Sequence, residues 1–370
     1  MLRSKVFASI FLCMLCCVLA KGQNQEECEL VLNRATDEFN AGHFYGIPAM
    51  LNDCLNKNQR SGWRQRAYLL LAETYLLLDD PFGAERSYLE VLRSNPEFRT
   101  DPAIDPIDLV YLSAKFTATP VFTVHGKLGS NVSPVRALLT RNTFSGTTSD
   151  RYLLRPGLHL GGGVDWNYDE NISAGIEINY MFTAYQYRIS DVFGEGRDNL
   201  LLNDRQNWLR IPLIVKYADD EGKYRPYGYL GYSIDLMLSD RATITFTDQN
   251  LVNGEIQSID EESPVLNFTS RRNLVNRSLL VGGGVKYKLG LDYAFVDVRY
   301  SLGLTNIVKV NSIDADAANE PAFTWGYTDN LFRLDNLAIS VGYIYPLYKP
   351  RKLKKARTGS VFRKIKKQSR

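Results

Sequence analysis

The spacing of apolar residues changes period part-way along this chain. From Gly157 to Phe182 the sequence reads GLHLGGGVDWNYDENISAGIEINYMF, and every second residue matters. Leu158, Leu160, Gly162, Val164 and Trp166 share one face, opposite His159, Gly161, Gly163 and Asp165. After Asn167–Glu170, the residues Ile172, Ala174, Ile176, Ile178, Tyr180 and Phe182 alternate with Ser173, Gly175, Glu177 and Asn179. Successive strand side chains point to opposite faces, so this period predicts a β-hairpin with one apolar face. The alternation returns in Leu209–Tyr217, Leu230–Leu236, Leu279–Tyr287, Ala294–Tyr300 and Leu337–Tyr345. With a first strand near Pro120–Gly129, eight strands are expected. An apolar face ending in aromatics, backed by small and ionisable residues, suits lipid outside and a packed lumen within. An even strand count returns both ends of a closed barrel to the same side.

Residues 24–115 follow a helical period instead. Glu27–Asn40, Phe44–Asn56, Trp63–Leu78 and Pro81–Ser94 read as four helices, the last bounded by Asp80-Pro81 and Asn95-Pro96. In the second pair, Ala72, Tyr75, Ala84, Tyr88, Leu92 and Pro96 resemble a tetratricopeptide repeat. The resemblance implies a protein-binding groove. Trp63, Tyr68, Tyr75 and Tyr88 are its candidate contacts, with burial in the helical core as the competing and more common reading of each. Asp101–Pro106 reads as a linker, and Ile107–Phe116 as a short amphipathic lead into the barrel.

Charge separates off one further piece. The chain carries +3 overall, yet residues 349–370 hold eleven Lys/Arg and no acid, leaving 33 basic against 41 acidic residues before them, or −8. A block of this kind is ordinarily solvated, and it attracts acidic partners or surfaces. Arg351, Lys352, Lys354 and Lys355 are its candidate contacts. Met1–Gly22 reads as a cleaved secretory signal: Arg3 and Lys5 start it, Val6–Ala20 is apolar, and Ala20-Lys21-Gly22 offers the cleavage site. That address argues against a nucleic-acid partner. Past the signal only Cys28 and Cys54 remain, in a compartment where a disulfide persists. A fold-back near Gly42 would let them meet, and two buried thiols are the alternative.

The inward faces carry Asp165, Glu177, Arg210, Lys216, Asp235, Lys286, Asp297 and Arg299. An eight-stranded barrel is just wide enough for side chains to fill, so these residues read as a network of internal ion pairs. A proton relay or gated pore is the competing reading, with His125 and His159 also directed inward. Gly161–Gly163 and Gly282–Gly284 lack the helix that a phosphate loop requires, because strand alternation continues through both. The carboxylate groups Asp260–Glu262 and Asp314–Asp316 do not have the spacing of a calcium loop. No catalytic set, metal site or cofactor is expected.

The stretch NWLRIPLIVKY, followed by YRPYGYLGYSIDL, together with LGGGVDWNY and VGGGVKYKLG, resembles the PorT-like outer-membrane β-barrel family of the Bacteroidota. The resemblance covers about residues 119–348. It implies insertion in the outer membrane of a Gram-negative bacterium, no catalytic residues, and for some members a part in type IX protein secretion and gliding motility. The expected architecture is therefore α + β and multidomain: a signal peptide (1–22), a periplasmic tetratricopeptide-like helical domain (23–116), an eight-stranded antiparallel transmembrane barrel (119–348) and a basic periplasmic tail (349–370). The expected function is a non-enzymatic anchor for a protein-binding domain, an accessory of envelope protein transport. Its partners would be outer-membrane lipid and a periplasmic or secretion-machinery protein. A small transport channel is the alternative.

Overall fold

The computed structural model describes residues 26–57, 60–140, 149–190, 198–219, 221–252, 255–310, 325 and 327–353. The expected leader, Asp314–Asp316, Lys354, Lys355 and the remainder of the basic tail lie outside the described residues. The chain divides into two units: one holds residues 121–347, and the other holds the residues up to 120 with those from 348 onward.

The first of these is a ten-stranded antiparallel sheet. Numbering strands along the whole chain, β1 (Phe116–Thr117) belongs to the other unit, and the barrel begins with β2 (Phe122–Val132) and β3 (Val135–Leu139). There follow β4 (Ser149–Asn167), β5 (Ile172–Ser190), β6 (Asp198–Ala218) and β7 (Tyr224–Val252). Next come β8 (Glu255–Glu262), β9 (Leu266–Asn267), β10 (Val275–Leu289) and β11 (Asp292–Gly303). The series ends with β12 (Leu331–Leu334), β13 (Asn336–Leu347) and, in the other unit, β14 (Arg351–Lys352). The pairing runs β10-β11-β13-β2-β4-β5-β6-β7, and β7 pairs back onto β10, so the sheet closes on itself. Closure removes the unpaired edges that lipid cannot satisfy. Both β8 and β9 attach to β7, while β3 and β12 form a small separate ribbon.

Alternation sorts the side chains as period two requires. Leu158, Leu160, Ile178, Val215 and Leu230 are each at least 60% exposed on the outer face. Their neighbours His159, Glu177, Asn179 and Asp297 are buried within. Trp166, Tyr168, Tyr217, Tyr224, Tyr343 and Tyr345 rim the band near the short turns. The strands also run past the band. Residues 133–155, 190–206 and 239–276 read as connections in the sequence, yet β4, β6 and β7 continue through much of them. The ladder continues there because its hydrogen bonds do not depend on an apolar face.

In the other unit, α1 (residues 26–40), α2 (Ile47–Asn56), α3 (Ser61–Leu77), α4 (Pro81–Ser94) and α5 (Ile107–Ser113) are the helices among the described residues. Asp80 caps α4 by accepting a hydrogen bond from the Gly83 amide at 3.0 Å, beside Pro81 in the first turn. Ala72, Ala84, Tyr88, Leu92, Leu109 and Leu112 form one core; Cys28, Leu32, Ile47, Leu51, Trp63 and Ala67 form another.

Cys28 and Cys54 are joined as a disulfide across 26 residues of sequence. Closing a loop of that length removes unfolded-chain entropy worth about 3–4 kcal/mol. The C28S/C54S variant is expected to lose about that much local stability, read as faster amide hydrogen exchange confined to α1–α3. Exchange unchanged from the parent would refute a structural role for the bond.

Two sequence expectations are corrected in this unit. Trp63 and Tyr88 are 5% and 2% exposed, so they are core residues rather than partner contacts. The Trp63 ring nitrogen donates to the Cys28 carbonyl at 3.0 Å, which a contact residue would leave free. Tyr68 and Tyr75 pack against the same core and are half-buried. The start of the basic segment is not a separate object either: Arg351–Lys352 pairs with Phe116–Thr117 as a two-stranded ribbon. Lys352 also bonds Glu85 on α4, and Lys115 lies 3.5 Å from the same carboxylate.

Candidate functional site

The interior of the closed sheet gathers the buried charge of the barrel. Glu177 on β5 is 2% exposed and sits at its centre. It accepts from both terminal nitrogens of Arg299 on β11, at 2.9 and 3.0 Å, and from the Lys127 ammonium on β2 at 2.7 Å. Asn179 donates to the same carboxylate at 3.1 Å, and His125 Nε2 lies 3.3 Å from it. The Arg299 contact is a bidentate fork, the strong form of a charge-assisted bond. One carboxylate thereby ties together strands from opposite parts of the ring.

Around this centre the remaining inward residues fall into smaller groups. The hydroxyls of Tyr227 and Tyr229 donate to Asp297 at 3.0 and 2.8 Å, and Arg299 Nε donates to the Tyr229 oxygen at 2.8 Å. Lys216 donates to Asp165 at 2.9 Å, and His125 Nδ1 stands 3.4 Å from that carboxylate, so His125 lies between Asp165 and Glu177. Asp235 accepts from Ser233 and Ser278, with Arg210 Nε 3.8 Å away. Lys286 stands over the Tyr227 ring at 5.5 Å. His159 pairs with the Ser340 hydroxyl at 2.9 Å. All eight inward residues singled out in the sequence therefore face the interior: Glu177, Asp297 and Arg299 share one connected group, His125 joins Asp165 and Lys216 to it, and Asp235 with Arg210 forms a neighbouring pair. Lys127 and the two tyrosines complete that group. The tyrosines carry no charge to single them out in the sequence, and the first strand gives no firm register by which to place Lys127.

Glycines make the room for these side chains. A methyl carbon on Gly282 would meet the Tyr229 hydroxyl at 2.4 Å, and one on Gly284 would meet the Tyr227 hydroxyl at 2.7 Å. Across the ring, a methyl carbon on Gly175 would meet an Asp165 oxygen at 2.0 Å. The Gly-Gly-Gly runs therefore serve close packing inside a strand, not anion binding. The cavity left between Lys127, His159, Asn179, Arg210 and Arg299 is about 20 Å³, room for little more than one water.

A second buried cluster lies in the strand extensions and the connections above them. Arg272, fully buried, donates to Asp240 at 2.5 Å and to Asp329 at 2.8 Å, and stands 4.0 Å from Asp204. Tyr185 donates to Asp204 at 3.0 Å, and Tyr327 to Asp329 at 3.1 Å. The rings of Phe268 and Phe332 lie 5.3 and 5.8 Å from the guanidinium carbon. No sequence signal marks this cluster, because Arg272 lies outside any strand and its partners are 32 to 68 residues away in the chain. Among the described residues no group of His, Cys, Asp and Glu has the arrangement of a metal site. Among them, too, no helix is long and apolar enough to cross a membrane.

The family described as outer membrane protein beta-barrel domain matches residues 121–309, slightly over half of the chain. The chain belongs to this outer-membrane β-barrel family. Solved structures similar to the outer-membrane barrel include Neisserial surface protein A, at 14% identity over 61% of this chain and 97% of that one, with a TM-score of 0.28. OprG from Pseudomonas aeruginosa is 13% identical over 64% and 98% of the two chains, with a TM-score of 0.32. Ail of Yersinia pestis is 12% identical over 60% and 98%, with a TM-score of 0.22. No curated protein matches the outer-membrane barrel's sequence.

Proposed function

We propose that this outer-membrane protein is a non-enzymatic anchor, in which a plugged barrel holds a protein-binding helical unit at the periplasmic face. The observation that carries this reading is the filled interior. The fork from Arg299 to Glu177, the Lys127 bond and the tyrosine pair on Asp297 leave a cavity of only about 20 Å³. A lumen so filled offers no continuous path for solute. In this reading the eight strands of the closed ring cross the membrane, with the short turns at 168–171, 219–223 and 290–291 in the periplasm and the extended ends outside. The flanking helical unit then lies in the periplasm. Its motif positions Ala72, Ala84, Tyr88 and Leu92 pack together as in a tetratricopeptide-like pair. The likeness of the barrel strands to the PorT-like family points to an accessory role in envelope protein transport, of the type IX secretion or gliding kind.

The surface open to a partner differs from the one expected from sequence. Phe82, Ile104 and Tyr111 are 73%, 81% and 59% exposed, and they take the place of the buried Trp63 and Tyr88 as contact candidates. The deciding experiment is affinity purification from gently solubilised outer membranes, comparing the parent with F82S/I104S/Y111S. A stoichiometric partner lost from the variant supports the anchor. Recovery of the parent alone removes the basis for it, and ion conductance in planar bilayers would then establish the channel.

A further inference from the structure

The arginines of the barrel fall into two populations. Arg210, Arg272 and Arg299 point inward and have acidic or phenolic partners. Arg151, Arg155, Arg188, Arg205 and Arg241 are exposed on the strand extensions, and no ion pair joins any of them to a described residue. Register places them together. Arg155 pairs with Ala184, Ala184 with Arg205, and Arg205 with Arg241, so one row across four strands carries three guanidinium groups. Two same-face rows further out, Arg151 pairs directly with Arg188. Neighbouring strands lie about 4.8 Å apart. Arg205 with Arg241, and Arg151 with Arg188, are therefore like charges set directly opposite each other, an arrangement that destabilises a sheet unless an anion sits between them.

The patch has a fixed height and a fixed side. Immediately below the Arg155 row, Leu158 and Phe182 pair on the same face, where the apolar band begins. Outward positions of β2, β11 and β13 carry no cationic residue and β10 carries Arg277, while the ribbon of β3 and β12 sets Arg136, bonded to Asp335, opposite Arg333. Among the described residues the nearest outward acid by register is Glu262, paired with Thr245 on β7, three strands from Arg188 and roughly 14 Å across the sheet. The outward arginines of β4 to β7 differ from Arg136 in having no bonded carboxylate among the described residues.

We propose that this face is a docking site for a phosphorylated glycolipid of the outer leaflet. Its phosphates would sit between the paired guanidinium groups and its acyl chains against Leu158 and Phe182. Arginine suits the task because its planar fork binds phosphate oxygens in pairs. The proposal rests on the orientation argued above, with the strand extensions outside.

The test uses the purified full chain in detergent micelles, titrated separately with diphosphorylated lipid A, its dephosphorylated form and phosphatidylglycerol, with binding read by native mass spectrometry. The parent is expected to retain diphosphorylated lipid A and to bind the other two at least about tenfold more weakly. R155Q/R205Q/R241Q, checked for folding by its heat-dependent gel mobility, is expected to lose that preference, and R155K/R205K/R241K to keep part of it. Equal binding of all three lipids by the parent would overturn the proposal without recourse to any variant. Orientation is read separately: a cysteine at Asp169, in a short turn, should resist a membrane-impermeant thiol reagent on intact cells. Labelling there would refute the orientation, whereas binding in micelles does not depend on it.

Discussion

Replacing Arg272 with methionine is expected to destabilise the barrel by about 3–5 kcal/mol, as a lowered urea midpoint for unfolding from lipid vesicles. The guanidinium is fully buried and is the described cation closest to Asp204, Asp240 and Asp329. Removing it leaves neighbouring carboxylates enclosed by Tyr185, Tyr327, Phe268 and Phe332, where no water replaces the lost charge. Methionine fills most of the volume, so packing loss contributes little. Adding Asp240→Asn and Asp329→Asn to the same variant should recover part of the loss, since the repelling charges are then gone. A single variant as stable as the parent would show that the cluster is solvated and does not hold the extensions together.

Glu177→Gln should have an effect of similar size through the opposite sign. The side chain keeps its shape but gives up the charge that balances Arg299 and Lys127, which approach it at 2.9 and 2.7 Å. Two cations then face each other across a narrow interior, and a loss of about 3 kcal/mol or more is expected. A double-mutant cycle with Arg299→Gln should return a coupling energy of about 1–3 kcal/mol, because the two residues share one bidentate contact. The same variant examines the plug. If the network closes the lumen, Glu177→Gln should raise bilayer conductance above that of the parent, favouring anions. Additive energies and an unchanged conductance would contradict a shared, occluding network.

What the sequence reveals here follows from what the surroundings demand. Lipid requires an apolar residue at every second position, so Ile172–Phe182 and Leu209–Tyr217 announce their strands and faces. The inward alternates Glu177 and Arg299 come with that register. Beyond the band the demand ceases. β7 continues as Arg241-Ala242-Thr243-Ile244-Thr245, a pattern that hydropathy does not distinguish from a loop. Arg272 is more hidden still, since a cluster assembled from distant connections has no period. Trp63 and Tyr88 stay undecided in the sequence for another reason: an aromatic on a helix face is compatible with a groove or with a core, and only the neighbouring helix decides.

The ribbon of Phe116–Thr117 with Arg351–Lys352 also constrains how the molecule can be made. The segments that enter and leave the barrel pair with each other, which is the arrangement expected if both ends of the barrel emerge on the same side of the membrane. Under the proposed orientation an even number of crossings follows without reference to any loop. The order of assembly is constrained as well: the paired segments stand more than 230 residues apart in the chain, so closing the ribbon carries a larger loop-closure cost than any barrel hairpin and is expected to follow them.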